Sequence, residues 1–247
     1  MRIQYFTIAL ALAAGLAMGQ KAKSNKEIQA VNAVFQAATP DAKIAAVDDL
    51  LTKYKDTEFK SIALTEAARA EMQKGDGITA LTYGNRAMEA DPKYYEALLL
   101  VAGLLVQGTH EFDLDKDEKL THATKLVNDA IPAINAALKP NPQVTDDQWN
   151  GFKKDKIAEA HDRLGMIAAL QKKYDVAVTE FKASIDGAGT PDFTTSVRLA
   201  SVYDDQGKFD DGAALLDKVM ASSAPDAIKR VAQAEKQRAE KLKAQKK

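Results

Sequence analysis

Three histidines and no cysteine set the limits of the chemistry this chain offers. His110, His122 and His161 lack the HExxH spacing that would place two imidazoles on one helical face around a metal ion, and they read as isolated packing residues. Asp113, Asp115 and Asp117 alternate like the start of a calcium loop. The match fails at Glu118, where the turn glycine belongs, and at Thr124, where a bidentate acid should close the ligand set. These acids are expected to face water and to favour the positive end of a helix beginning there. Gly75 and Gly77 follow no strand and precede no GKS or GKT, so they read as hairpin-turn residues needing positive φ rather than as a phosphate cradle. Ser, His and Asp occur without a nucleophile elbow or any other ordered arrangement. The expectation is therefore no catalytic residue, no metal, no cofactor and no enzyme.

Two features point to binding instead. Trp149, the only tryptophan, lies beside Asn150-Gly151-Phe152 and reads either as a binding anchor or as packing against the preceding hairpin; the large area an aromatic buries favours packing. Residues 227–247 carry Lys229, Arg230, Lys236, Arg238, Lys241, Lys243, Lys246 and Lys247 against Glu235 and Glu240. They read as a solvated cap helix with a thin apolar stripe of Ile228, Val231 and Leu242, or else as a patch for an acidic partner or anionic lipid.

The elements that would position such residues are helices. The 247 residues include 46% hydrophobic and 28% charged side chains, with a net charge of -1, the balance of a soluble globular chain. Ala, Lys, Glu, Gln and Leu favour helix because unbranched side chains lose little rotamer freedom there. Near-neutral charge gives no general reason to expect nucleic acid. At the start, Met1-Arg2, an apolar run over residues 3–16 and Ala17-Met18-Gly19 predict a secretory signal over residues 1–19, cleaved before Gln20. The alternative, a retained anchor, meets the objection that the run falls short of about 20 residues. The chain is thus expected to be periplasmic or secreted, with no stable membrane span after cleavage and at most peripheral contact with the envelope. Without disulfides, its stability must come from packing.

A repeat supplies the packing. Leu164-Gly165, Lys173-Tyr174, Ala177, Phe181 and Ile185 are echoed by Leu199-Ala200, Gly207-Lys208-Phe209, Gly212, Leu216 and Met220. Tyr174 and Phe209 fall about 35 residues apart, against roughly 34 for a tetratricopeptide repeat (TPR). Small residues at Gly165, Ala177 and Gly212 let helix backbones meet, while Tyr174, Phe209, Phe181 and Leu216 fill the space between hairpins. An earlier copy runs through Leu64, Ala67-Ala68, Gly75-Asp76-Gly77, Ala80, Gly84, Ala87-Met88 and Pro92. Gly77 and Gly84 stand where an aromatic and a large side chain are usual, so this copy is expected to be looser.

On these residues the chain resembles the TPR family, of exported bacterial type. The resemblance implies an all-α, right-handed α-solenoid of stacked antiparallel hairpins. Its expected segments are an N-terminal hairpin over 20–57, repeats over 58–94, 95–140, 141–191 and 192–225, and a basic cap over 226–247. The 95–140 copy has an expanded turn at 108–117 and a long second helix carrying Leu120, Val127, Ile134 and Leu138, in which Pro132 is a candidate kink. Thr145 and Gln148 form a capping box before the 141–191 copy.

The resemblance further implies that a protein or peptide partner lies on the concave face. Thr65, Arg69, Met72 and Gln73, then Leu99, Val106 and Gln107, then Asp162 and Met166, then Val197, Ser201, Asp204 and Asp205 would line that groove. It would be basic near Arg69 and acidic near Asp162, Asp204 and Asp205. The Lys and Asn clamp of cochaperones is absent. The expected role is an extracytoplasmic scaffold, with a small-molecule or polysaccharide carrier at the envelope as the alternative; the sequence leaves the oligomeric state open.

Overall fold

Local capping chemistry starts and stops the helices where the repeat places them. Ser24 accepts from the Glu27 amide before α1 (Asn25–Gln36), and Thr39 accepts from Ala42 before α2 (Pro40–Lys53). Asp76 caps α4 (Gly77–Ala90), which follows α3 (Lys60–Lys74) across the left-handed Gly75. Side-chain caps of this kind satisfy amides that have no partner inside the helix. After them come α5 (Tyr95–Gln107), α6 (Lys116–Ala136), α7 (Asp146–Leu170), α8 (Tyr174–Gly187), α9 (Phe193–Asp205), α10 (Phe209–Ala221) and α11 (Asp226–Gln245). These are the helices of a computed structural model that describes residues 22–140 and 143–245, with no strand among the described residues. The expected signal over 1–19 lies outside the described residues.

The chain divides into two compact units, one running to His110 and including Glu118–Lys153, the other formed by Glu111–Asp117 and everything from Lys154 onward. In the first unit α1 packs on α2, α2 on α3, α3 on α4 and α4 on α5. One step apart, α1 also meets α3 and α3 meets α5. That is the stacking of antiparallel hairpins, with the first helix of each hairpin lying against the first helix of the next. We call these the lead helices. Val31, Val34, Val47, Leu50, Phe59, Ile62 and Leu64 form this unit's core. Nearly every residue of α5 is buried, which explains a sequence apolar on all sides.

Gly84 shows that the first full repeat is not loose. A Cβ there would come within 2.6 Å of the Val101 side chain, so the missing side chain brings α4 directly onto α5. Positive φ belongs to Gly75 alone of the expected turn pair. Gly77 begins α4 in open space and needs no left-handed backbone. Pro132 lies inside α6, which ends at Ala136. Leu138 therefore falls beyond the helix and is exposed rather than part of its apolar face.

In the second unit α8 packs on α9, α9 on α10, and α10 on α11, while α11 also reaches α9. A Cβ at Gly165 would lie 2.6 Å from the Phe181 ring, so this glycine is what lets α8 sit against α7. Phe181 is 1% exposed, in a cluster with Ala168, Ala177, Leu199 and Val202. A second cluster joins Val197, Ala200, Leu216, Val219 and Ala224 to Ala232 of α11. The face that α11 buries is therefore centred on Ala232 and Ala239. Val231, expected in the stripe, points outward and is 54% exposed.

Candidate functional site

The lead helices of the first unit converge on a cleft. Phe35 of α1, Ile62, Glu66 and Arg69 of α3, Tyr95 and Glu96 of α5 with the preceding Tyr94, and Trp149 and Phe152 of α7 line it together with Pro140. The Trp149 and Phe152 rings stack at 5.1 Å with an interplanar angle of 12°. Trp149 also donates its indole N–H to the Ala137 carbonyl at 3.2 Å, just past the end of α6. Its packing role is thus real, and the same ring forms a wall of the cleft. A reciprocal capping box fixes its helix. The Gln148 amide donates to Thr145 Oγ1 at 3.2 Å, and the Thr145 amide donates to Gln148 Oε1 at 3.0 Å.

Arg69 is the polar centre. Its Nη1 donates to Glu66 Oε1 at 2.6 Å and its Nη2 to Glu96, while Lys43 Nζ reaches the other Glu66 oxygen at 2.7 Å. Burial works against the Glu66 charge, but Arg69 and Lys43 outweigh it and hold the carboxyl below its ordinary range. Burial likewise works against the Arg69 cation, and Glu96 and Glu66 overcome it and keep the guanidinium firmly charged. Tyr94 is pushed well above its ordinary value, first by burial and then by Glu96. Glu66, Arg69 and Glu96 thus line the cleft among aromatic walls that leave a partly open space of about 50 Å³, while Lys43 pairs with Glu66 from outside the lining. Such a cleft suits the tip of an apolar side chain, and the planar Arg69 and Trp149 faces offer stacking surface.

Several residues expected in the groove are taken up by the fold. Thr65 is buried and donates to the Ser61 carbonyl at 2.9 Å. Leu99, Val106 and Val197 are core residues, and Met166 packs against the cluster around Phe181. Met72 and Gln73 are exposed on α3, as is Gln107 on α5. Gln107 lines a different, open recess with Ile78, Leu81 and Leu104.

Of the residues in the expected division of charge, Arg69, Asp162 and Asp205 are paired locally. Asp162 is buried, with Arg198 Nη1 2.8 Å from both of its oxygens and Thr195 Oγ1 at 2.9 Å. Arg238 of α11 donates to Ser201 Oγ at 2.9 Å and to Asp205 at 3.2 Å, and Asp204 is wholly buried. A recurring device links these facts. Arg69 to Glu96, Arg198 to Asp162 and Arg238 to Asp205 each join one lead helix to the next.

Elsewhere His161 Nδ1 lies 2.7 Å from Glu180 Oε2, linking α7 to α8. Among the described residues no group of three or more acids and histidines could hold a metal ion, and no helix is long and apolar enough to cross a membrane. Sequence reading singled out Arg69 and weighed Trp149 but passed over Phe35, Glu66, Tyr94, Tyr95, Glu96 and Phe152. Only the Glu66 to Arg69 spacing of one helical turn was a usable signal.

No protein-family profile matches the chain, and no characterised relative is recognisable by sequence. Solved structures do resemble it. A thermophilic TPR protein of Thermus thermophilus, TTC0263, superposes with a TM-score of 0.57 at 19% identity, over 79% of this chain and 90% of that one. MamA from residue 41 to its end, of Desulfovibrio magneticus RS-1, gives 0.58 at 13% identity, over 81% and 96%. The fold is that of tetratricopeptide-repeat proteins.

Proposed function

We propose that the chain is a protein-binding scaffold and that the lead-helix face of its first unit receives an extended peptide, with one apolar side chain entering the cleft beside Arg69. The carrying observation is a recess with aromatic walls around the Arg69 network, assembled from four lead helices. Hot spots at protein interfaces favour such aromatic and arginine surroundings. With Arg69 already engaged by Glu66 and Glu96, affinity would come mainly from apolar contact, and exposed Met72 and Gln73 would take up neighbouring residues of the peptide. A space of about 50 Å³ gives less support to a carrier of whole small molecules, whose sites usually run to several hundred Å³.

The charged start, apolar run and Ala17-Met18-Gly19 of the sequence support an extracytoplasmic, envelope-associated setting for this scaffold. Intact mass of the native protein checks that setting, with cleavage before Gln20 expected and a soluble form retaining residues 1–19 counting against it. For the cleft, a photoreactive residue at Gln73 should crosslink a partner whose bound segment can then be synthesised. Phe152→Ala should weaken that peptide at least about tenfold, the loss of roughly 1.4 kcal/mol, without altering the fold. Unchanged affinity in Phe152→Ala, with binding lost on substituting Lys229, Arg230 and Lys241, would move the site to α11.

A further inference from the structure

A carboxylate is buried at the end of α9, a helix that α11 packs against. Asp204, at the end of α9, is 0% exposed, and neither of its oxygens has a hydrogen-bond partner among the described residues. It is pressed against α10 where Gly212 has no side chain; a Cβ there would lie 2.5 Å from Asp204 Oδ1 and 3.1 Å from the Ala200 carbonyl. We propose that α11 is a pH-dependent cover over α9 and α10, held firmly when Asp204 is protonated and loosened when Asp204 ionises.

The surrounding charges explain why the proton matters. From α9 comes Asp205, and from α11 come Glu235 and Arg238; Arg238 is already engaged by Glu235 at 2.8 Å and Asp205 at 3.2 Å. One cation thus serves three carboxyl groups. On α10, Asp217 and Asp210 are paired with Lys236 and Lys243 of α11, each at 2.6 Å. On α8, Asp175 accepts from Gln206 at 2.8 Å, and Lys182 lies 5.9 Å over the Tyr203 ring. None of these makes a hydrogen bond to Asp204. Burial, then Glu235, push its carboxyl up to about 6, with Arg238 pulling the other way. A protonated Asp204 is neutral and can donate as well as accept a hydrogen bond.

The sign follows directly. Once α11 lifts away, Asp204 meets water and returns toward its ordinary value of 3.8, so the docked state binds the proton more tightly. Docking therefore gains its full advantage below the ordinary value and loses it as pH rises through about 6. Lifting α11 would uncover Val197, Ala200 and Leu216, the apolar cluster that Ala232 now covers. This device is independent of the cleft in the first unit.

Hydrogen exchange on the full chain tests it, with rates corrected for the intrinsic effect of pH and α8 amides as internal reference. Protection across α11 should fall about tenfold between pH 5 and 7.5, because a carboxyl near 6 is about ten to one protonated at the lower value. Asp204→Asn, neutral at every pH, should keep α11 protected throughout. A pH-independent wild type, or an Asp204→Asn protein that still loses protection, overturns the proposal. Should Asp204→Asn fail to fold, Glu235→Gln decides: the midpoint should move to lower pH, and an unmoved midpoint overturns the proposal equally.

Discussion

Lys172 and Gly207 occupy the same left-handed bend in two consecutive hairpins, at φ 59° and 79°, each two residues before the aromatic that opens the second helix. Lys172 carries a side chain where its counterpart carries none. A left-handed L-residue costs about 1–2 kcal/mol, against about 0.5–1 kcal/mol for the extra unfolded-state freedom of glycine. The Lys172 to Glu111 ion pair is exposed on both sides, so solvent screening leaves it little to contribute. Lys172→Gly should therefore raise stability by about 0.5 kcal/mol, read as a higher urea midpoint, whereas Lys172→Ala should show no gain.

Gly165 and Phe181 should prove strongly coupled. Gly165→Ala forces a methyl into the ring and should cost about 1–3 kcal/mol, and Phe181→Ala should cost about 3–5 kcal/mol through the cavity it leaves. In Gly165→Ala/Phe181→Ala the two changes should offset each other by at least about 0.5 kcal/mol relative to their sum. Strict additivity in denaturant unfolding would mean that the close approach is not what the glycine serves.

Breaking the Arg69 network should be expensive. Arg69→Ala removes the cation shared by Glu66 and Glu96, whose side chains are only 13% and 12% exposed, at a cost of about 2–4 kcal/mol once the partial exposure of Arg69 is discounted. The pH dependence has a fixed sign. Glu66 is held below its ordinary value of 4.5, so its contribution is present above that value and lost as pH falls further. Glu66→Gln should flatten this acid limb, which thermal melts at a series of pH values would reveal.

The buried face of α11 gives a contrasting pair. Val231→Lys should lie within about 0.5 kcal/mol of wild type, as expected for a surface position. Ala232→Leu should overpack the cluster with Val197 and Leu216 and cost about 1–3 kcal/mol. Reversed results would restore Val231 to the inner stripe.

The fold was legible because its strongest signals are local or repeated. The 35-residue echo of Tyr174 in Phe209 and the Thr145 and Gln148 box can be seen in one sequence without knowing what packs against what. Val231 was misplaced because spacings of three and four residues both fit a helical stripe, and only the Ala232 contact decides between them. Leu138 fits the same helical spacing as Ile134, but α6 stops at Ala136 and leaves it outside the apolar face. The candidate site was harder to read for a different reason. Its charges are answered by residues on the next lead helix, 27 residues away for Arg69 and Glu96, 36 for Asp162 and Arg198, and 33 for Asp205 and Arg238. A groove inferred one repeat at a time shows each charge without its partner.

Those clasps between lead helices restrict how such an array can be edited. The α9–α10 hairpin presents Arg198 backward to Asp162 and Asp205 forward to Arg238, so it joins its neighbours like a keyed link rather than an interchangeable bead. A hairpin grafted in front of it would have to bring its own arginine for Asp162, which is 3% exposed. Without that arginine the splice would leave the buried Asp162 carboxylate to Arg163 alone, at 3.1 Å, and forfeit the contacts it now takes from Arg198 and Thr195. Lengthening this protein by inserting consensus repeats therefore depends less on matching their apolar faces than on carrying the right charge at each seam.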